Sequence, residues 1–297
     1  MKPILTIFTP TYNRAYILPK LYESLIKQTN KNFIWLIVDD GSDDNTEDII
    51  KKWKEENYID IEYIKQHNQG KHIAHNTGVD NCKTELFFCV DSDDYLLDNA
   101  VEDIYCDYYN IEDNNIAGIV SIKMTEKREA VGTNMPIGIK YSSLSDLYEK
   151  YKFKGDTALV FKVDILKKYK FPKINGEKFV GEEYVYCQID ESYKLLISNS
   201  KYYICEYLDD GYTTNIFKLI ANNPRGYMEL KNKKLKTSTR FHIKYKAASL
   251  YVVGCWLSKE KNIIKNSNNK LITIISYPLA TIVYFVRFAK IKSNGEI

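Results

Sequence analysis

The stretch Leu86-Phe87-Phe88-Cys89-Val90-Asp91-Ser92-Asp93-Asp94 constrains the fold more than any other, because an apolar run stops abruptly at three carboxylates. Apolar residues bounded in this way by turn formers read as a strand buried on both faces, as in the interior of a parallel sheet. Carboxylates crowded at the end of such a strand raise one another's pKa unless a cation sits among them. A divalent metal carrying a phosphorylated ligand meets that requirement. Oxygen-only ligation suits Mg²⁺ or Mn²⁺, which take one or two carboxylates and complete their shell with substrate phosphates and water. An Asp-rich turn in which Asp94 caps the next helix accounts for the same residues without a ligand.

The preceding sequence supplies the rest of such a sheet. Residues 4–9 and 33–38 read as strands, and residues 59–65 as a third. Between them, Ile17, Leu18, Leu21, Leu25 and Ile26 share one helical face, with Pro19 confined to the first turn, and Ile49, Ile50 and Trp53 share another. A short helix through Ala74 and Val79 precedes the opening strand. Strands alternating with helices at this spacing give a parallel sheet with right-handed crossovers, whose ligands bind beyond the carboxyl strand ends. Four segments converge on that edge: residues 9–13, 39–44, 66–76 and 91–94. Neither a Walker-type loop nor a GxGxxG loop is present, which removes the main support for a P-loop or dinucleotide site. Farther on, residues 117–123 and 157–161 read as strands and 163–169 as a short helix, while 124–141 carries no clear pattern.

The series Thr9-Pro10-Thr11-Tyr12-Asn13-Arg14, Val38-Asp39-Asp40-Gly41-Ser42, Asn68-Gln69-Gly70-Lys71 and Asp91-Ser92-Asp93-Asp94 resembles, in order and spacing, the inverting glycosyltransferases with the GT-A fold. The resemblance implies an α/β, Rossmann-like, mostly parallel sheet flanked by helices, and a nucleotide-diphospho-sugar donor, for which we expect a UDP-sugar. It implies that Thr9, Pro10 and Tyr12 line the nucleoside and that Asp40 contacts the base. Asp91 would lie near the ribose and the metal, and Asp93 would bind the Mn²⁺ or Mg²⁺ that bridges the diphosphate. Lys71 stands where the family often has a small or polar residue; we read it as a partner of the diphosphate, against the alternative of a solvated loop lysine. The family places its catalytic base in an acidic pair opening a helix, commonly Glu-Asp, whereas this chain has Glu182-Glu183. That departure leaves the base open between the two. A related subgroup keeps Glu-Lys-Phe, two further residues and a single Glu, which favours Glu182. A helix start stabilised by acids explains the pair without catalysis. Residues 206–213 resemble an acceptor-side loop of the same subgroup.

The net charge of +3 hides an asymmetry: residues 211–297 carry 16 Lys or Arg against 3 Asp or Glu, and residues 1–210 carry 26 against 36. We expect a catalytic domain over 1–211 and a basic helical region over 212–297. The apolar run 271–288, interrupted by Ser276, Pro278 and Arg287, is marginal for crossing a bilayer and suits its interface, against the alternative of a helix packed on the protein. Basic residues beside it favour an anionic membrane surface. No base-reading motif accompanies the lysines, so no nucleic-acid partner is expected. His72 and His75 fit a zinc site poorly among hard carboxylates. Six cysteines without CxxC spacing read as reduced core residues, and the N-terminus is too short in its apolar part for a signal peptide. The expectation is a metal-dependent transferase, peripheral on the cytoplasmic face of the membrane, acting on a glycan or lipid-linked acceptor. Its rivals are a nucleotidyltransferase and a non-catalytic nucleotide-binding scaffold.

Overall fold

The structure, a computed structural model, describes residues 2–206 and 216–289. The described chain forms two compact units, one from residues 2–170 and 192–206, the other from 171–191 and 216–289.

The first unit is built on one sheet. Its strands are β1 (Leu5–Thr11), β2 (Phe33–Asp39), β3 (Asp60–Lys65), β4 (Leu86–Cys89), β5 (Tyr95–Leu96), β6 (Ile116–Met124), β7 (Tyr141–Ser142), β8 (Thr157–Lys162), β9 (Lys194–Ile197) and β10 (Tyr203–Ile204). Their order is β3-β2-β1-β4-β8-β6-β10-β5, with β9 pairing β6 and β7. The run β3-β2-β1-β4 is parallel throughout, as the strand-helix alternation requires. Beyond β4 the sheet becomes mixed, because β8 inserts antiparallel between β4 and β6. Sequence order reverses between β1 and β4, which places a topological switch point at their carboxyl ends.

Both faces of the sheet are covered, which explains why β1 is buried along its whole length. On one face Trp35 of β2 and Trp53 stack with ring centroids 5.8 Å apart, and Tyr22 stacks on Trp53 at 4.3 Å. These two partners come from the helices Leu18–Ile26 and Thr46–Glu56, whose apolar spacing the sequence displays. On the other face the helix Lys71–Asn81 lies against Phe8 of β1. A Cβ at Gly78 would come within 2.4 Å of the Phe8 ring. That ring is fully buried and stacked on Phe87 at 4.9 Å, so it has nowhere to retreat.

The second unit is helical. The helices Pro224–Thr237 and Phe241–Ser258 approach closely at Gly254, where a Cβ would lie 3.0 Å from the Met228 backbone. Tyr251, Val252, Val253 and Cys255 form its core with Ala280 and Phe288. The apolar run 271–288 is divided at Ser276 into the helices Lys270–Ile275 and Tyr277–Arg287, the second carrying Pro278 in its first turn. Among the described residues no helix is long and apolar enough to cross a membrane. Residues 207–213 of the expected acceptor-side loop lie outside the described residues.

Gly78→Ala forces the helix Lys71–Asn81 away from β1 and is expected to cost about 1 to 3 kcal/mol. Thermal denaturation followed by circular dichroism checks this; an unchanged melting temperature would contradict the close approach.

Candidate functional site

The four segments at the carboxyl edge are stitched together in sequence. The first join links the β1 and β2 loops. Asn13, at φ 53°, accepts from the Asp43 amide on Oδ1 at 2.9 Å, and its own amide donates to Ser42 Oγ at 2.8 Å. Asp39, fully buried at the end of β2, accepts from the Ser42 amide and from the Tyr63 hydroxyl, fixing the turn from below. Asp40 makes the second join. Its Oδ1 accepts from Gln66 Nε2 at 2.7 Å and the Gln69 amide at 2.9 Å, and its Oδ2 accepts from the Gly70 amide at 2.7 Å. An ionised carboxylate has about four acceptor positions, so this buried group holds the whole 66–70 loop and retains room for one more donor. The third join is Lys71, whose Nζ lies 2.6 Å from Asp91 Oδ1.

Of the residues expected at the nucleoside, Tyr12 is about half exposed and Pro10 is buried in β1. Thr9 is fully buried, and its Oγ1 accepts from the Trp35 indole at 3.0 Å, so its hydroxyl serves the core. Two positions on, Thr11 is also buried, and among the described residues its hydroxyl has no hydrogen-bond partner.

The acidic turn is held by groups that local sequence reading did not reveal. Burial by itself pushes the Asp91 carboxyl up; the ammonium groups of Lys71 and Lys123 and the Arg14 guanidinium more than offset this and hold it below the ordinary carboxylate range. Asp93 is raised, by burial first and by the neighbouring Asp91 second. Asp94 is pushed up to about 6 by burial, with Lys123 opposing and Asp91 adding to the shift. Underneath lies Tyr203 of β10. Its hydroxyl accepts from the Asp91 amide at 3.0 Å, and Lys123 sits over its ring at 4.0 Å. Lys123 Nζ also lies 3.5 Å from Asp94 Oδ2, while Asp94 Oδ1 accepts from the Glu206 amide at 3.0 Å. Glu206 in turn pairs with Lys20. The one sequence signal for this layer was Lys123 near the end of the mostly apolar residues 116–124.

Among the described residues no group of three or more acidic, histidine or cysteine side chains could hold a metal ion by itself. Asp94 is committed to Lys123 and Glu206, which leaves Asp91, paired with Lys71, and Asp93, whose carboxyl is raised by burial and by Asp91. That donor set fits Mg²⁺ or Mn²⁺ arriving with phosphate oxygens, and does not fit a closed protein cage. His72 and His75 are buried, and the His75 ring packs edge-on against Phe8 and Phe87.

In the second unit, Glu182 is exposed at the start of the helix Glu183–Ile189. Glu183 is clasped by two ammonium groups, with Lys231 Nζ at 3.2 Å and Lys234 in closer contact. Burial would raise its carboxyl, but the two lysines bring it down to about 2. Nearby, Glu177 accepts from the Arg225 and Gly226 amides at 2.9 and 2.7 Å, at the start of the helix Pro224–Thr237. The segment 177–183 is therefore tied to that helix at both ends.

Residues 6–170 match the Glycosyl transferase family 2 model. The chain is 39% identical over 101 residues to the glycosyltransferase GlyA of Streptococcus pneumoniae, covering 34% of this chain and 14% of that protein. It is 27% identical over 209 residues to the poly(ribitol-phosphate) beta-N-acetylglucosaminyltransferase TarP of Staphylococcus aureus, covering 67% of this chain and 58% of that protein. It thus spans less than two thirds of either relative. The crystal structure of S. aureus TarS 1-349 in complex with UDP-GlcNAc matches with a TM-score of 0.61 at 17% identity, covering 93% of this chain and 79% of that one. With its sheet matching that GT-A-like neighbour and its first unit carrying the matched residues 6–170, the chain belongs to glycosyl transferase family 2.

Proposed function

We propose that the protein is a metal-dependent inverting glycosyltransferase that moves a sugar from a UDP-sugar to a hydroxyl of a glycan or lipid-linked acceptor, peripheral on the cytoplasmic face of a membrane. The observation that carries this reading is the stitched edge ending in Asp91 and Asp93, where Lys71, Lys123 and Arg14 hold the Asp91 carboxyl low while burial and Asp91 raise that of Asp93. The family match and the UDP-GlcNAc-bound neighbour support the donor class. The basic surplus of residues 211–297 supports the membrane placement.

The chain's own residues then divide the work. Asp40, with its remaining acceptor position, takes an N–H from the base, while Tyr12 and Pro10 line the nucleoside. Asp93, with Asp91, would hold a Mn²⁺ or Mg²⁺, which would supply positive charge for the leaving diphosphate. Lys71, seated beside Asp91, supplies a further positive charge for the same group. Glu182 removes the proton of the acceptor hydroxyl as its oxygen attacks the anomeric carbon and the bond to the diphosphate breaks. A carboxyl held at about 2, as Glu183 is, makes a poor base, and its two lysines give it a different task.

Asp93→Asn is expected to abolish the Mn²⁺ dependence of UDP binding while leaving the fold intact. Calorimetric titration with and without Mn²⁺ decides this, and undiminished metal-dependent affinity would remove Asp93 from the ion. Glu182→Gln should lower transfer by about 10² to 10⁴ with UDP-sugar affinity unchanged. Glu183→Gln should remain active but lose stability. The clasp needs the charged carboxylate, whose proton is held more weakly in the folded protein than in the unfolded chain. Its contribution is therefore present above pH about 4.5 and lost as the pH falls to about 2. Because the side chain is 41% exposed, solvent screening limits that contribution to about 1 kcal/mol. Urea titrations of both proteins at pH 7 and pH 3 measure the difference, which should narrow at the lower pH. A difference that grew instead would contradict the clasp.

A further inference from the structure

Residues 270–288 carry apolar side chains on two sides. The fully buried positions are mostly small: Thr273, Ser276 and Ala280, with Phe288 the one large exception. Thr273 and Ser276 satisfy their hydroxyls internally, Thr273 Oγ1 with Ser267 Oγ at 2.6 Å and Ser276 Oγ donating to the Thr273 carbonyl at 2.8 Å. Ile272, Tyr277, Val283 and Tyr284 are partly buried against the protein, and six further large apolar side chains are left outside. Leu271 is 78% exposed, Val286 72%, Phe285 66% and Ile282 61%, and Ile274 and Ile275 are half exposed. Within each helix they are spaced three and four residues apart, Leu271, Ile274 and Ile275 in the helix Lys270–Ile275 and Ile282, Phe285 and Val286 in the helix Tyr277–Arg287, so each helix presents one apolar side to solvent. Soluble surfaces rarely leave so many large apolar groups exposed, and such exposure marks an interaction site.

Charge identifies the occupant. Between Glu260 and Glu296 the sequence has no acid, but it carries Lys261, Lys265, Lys270, Arg287, Lys290 and Lys292. Lys265, Lys270 and Arg287 are exposed. A second copy would bring one wholly basic rim against another, which like-charge repulsion opposes. Anionic lipid headgroups complement the rim while their acyl boundary accepts the apolar side chains. The length fixes the mode. The 11 residues of the helix Tyr277–Arg287 rise about 16 Å, roughly half of a hydrocarbon core of about 30 Å.

We propose that the Leu271, Ile274, Ile275, Ile282, Phe285 and Val286 side chains form an interfacial docking face for an anionic bilayer, lying in the membrane plane, and that this face is the physical basis of the peripheral placement proposed above. Apolar contact supplies the hold and the basic rim selects the lipid.

Vesicles of phosphatidylcholine with and without phosphatidylglycerol, co-sedimented with the full chain at low and high salt, test the face. Binding is expected on the phosphatidylglycerol vesicles, weakened by salt. The double substitution Ile282→Glu and Phe285→Glu should reduce it about tenfold or more, with circular dichroism unchanged because both side chains face outward. Lys270→Gln with Arg287→Gln should weaken binding and flatten its salt dependence. Undiminished binding of the Glu variant would overturn the proposal. So would equal binding to both vesicle types, or a lipid-free dimer by light scattering that the Glu variant dissociates. Release of UDP from a UDP-sugar in the Glu variant reads the donor chemistry separately, so failure of one reading is distinguishable from failure of the other.

Discussion

Negative charge taken out of water at the end of β4 is the constraint on which the first unit depends. Asp91, only partly exposed, is held in its charged form by cations brought to it from three different places. Lys71 arrives on the first turn of the helix after β3, Lys123 from the end of β6, and Arg14 from the loop after β1. Each requires its own element to end at the same edge. The right-handed crossovers of β1, β2 and β3 deliver the first group, and the antiparallel insertion of β8 brings β6 within reach of β4. Asp40 then has a structural task whatever it binds, since without its three donors the 66–70 loop that positions Lys71 would lose its anchor.

The basic surplus of the second unit has an internal use as well. Lys231 and Lys234 hold Glu183, and the start of the same helix holds Glu177, so the acidic segment 177–183 is fixed by the charges that composition alone would assign to an external partner. Six further basic residues, Lys261, Lys265, Lys270, Arg287, Lys290 and Lys292, accompany the helices Lys270–Ile275 and Tyr277–Arg287 in a stretch of sequence without an acid. One stretch of lysines thus serves packing, and another leaves its charge to solvent.

How much of this was legible in the sequence follows from the range of the interactions. The first four strands and their helices could be read because apolar periodicity and turn chemistry are local. Asp39, Asp40 and Asp91 announced themselves as acids at strand ends. The strands β5, β9 and β10, two to four residues long, could not be read, since nothing local distinguishes such segments from loop. The residues beneath the acidic turn escaped for the same reason: Tyr203 meets the Asp91 amide across 112 positions. Lys231 and Lys234 reach Glu183 across 48 and 51. For residues 271–288 the sequence offered an interfacial helix or a helix packed on the protein, and the structure shows Thr273, Ser276, Ala280 and Phe288 buried and Leu271, Ile282, Phe285 and Val286 exposed. Thr9 carried a motif-level expectation of lining the nucleoside, while its hydroxyl bonds the Trp35 indole.

The central claim is that the edge formed by Asp40, Lys71, Asp91 and Asp93 activates a nucleotide-diphospho-sugar. Its most direct test is to incubate the full chain with a panel of UDP-sugars and Mn²⁺ and to follow the nucleotide products by chromatography. The account predicts UDP release from at least one UDP-sugar, stopped by a chelator and restored by added metal. Pyrophosphate release from UTP, or no UDP from any donor in the panel, would contradict it.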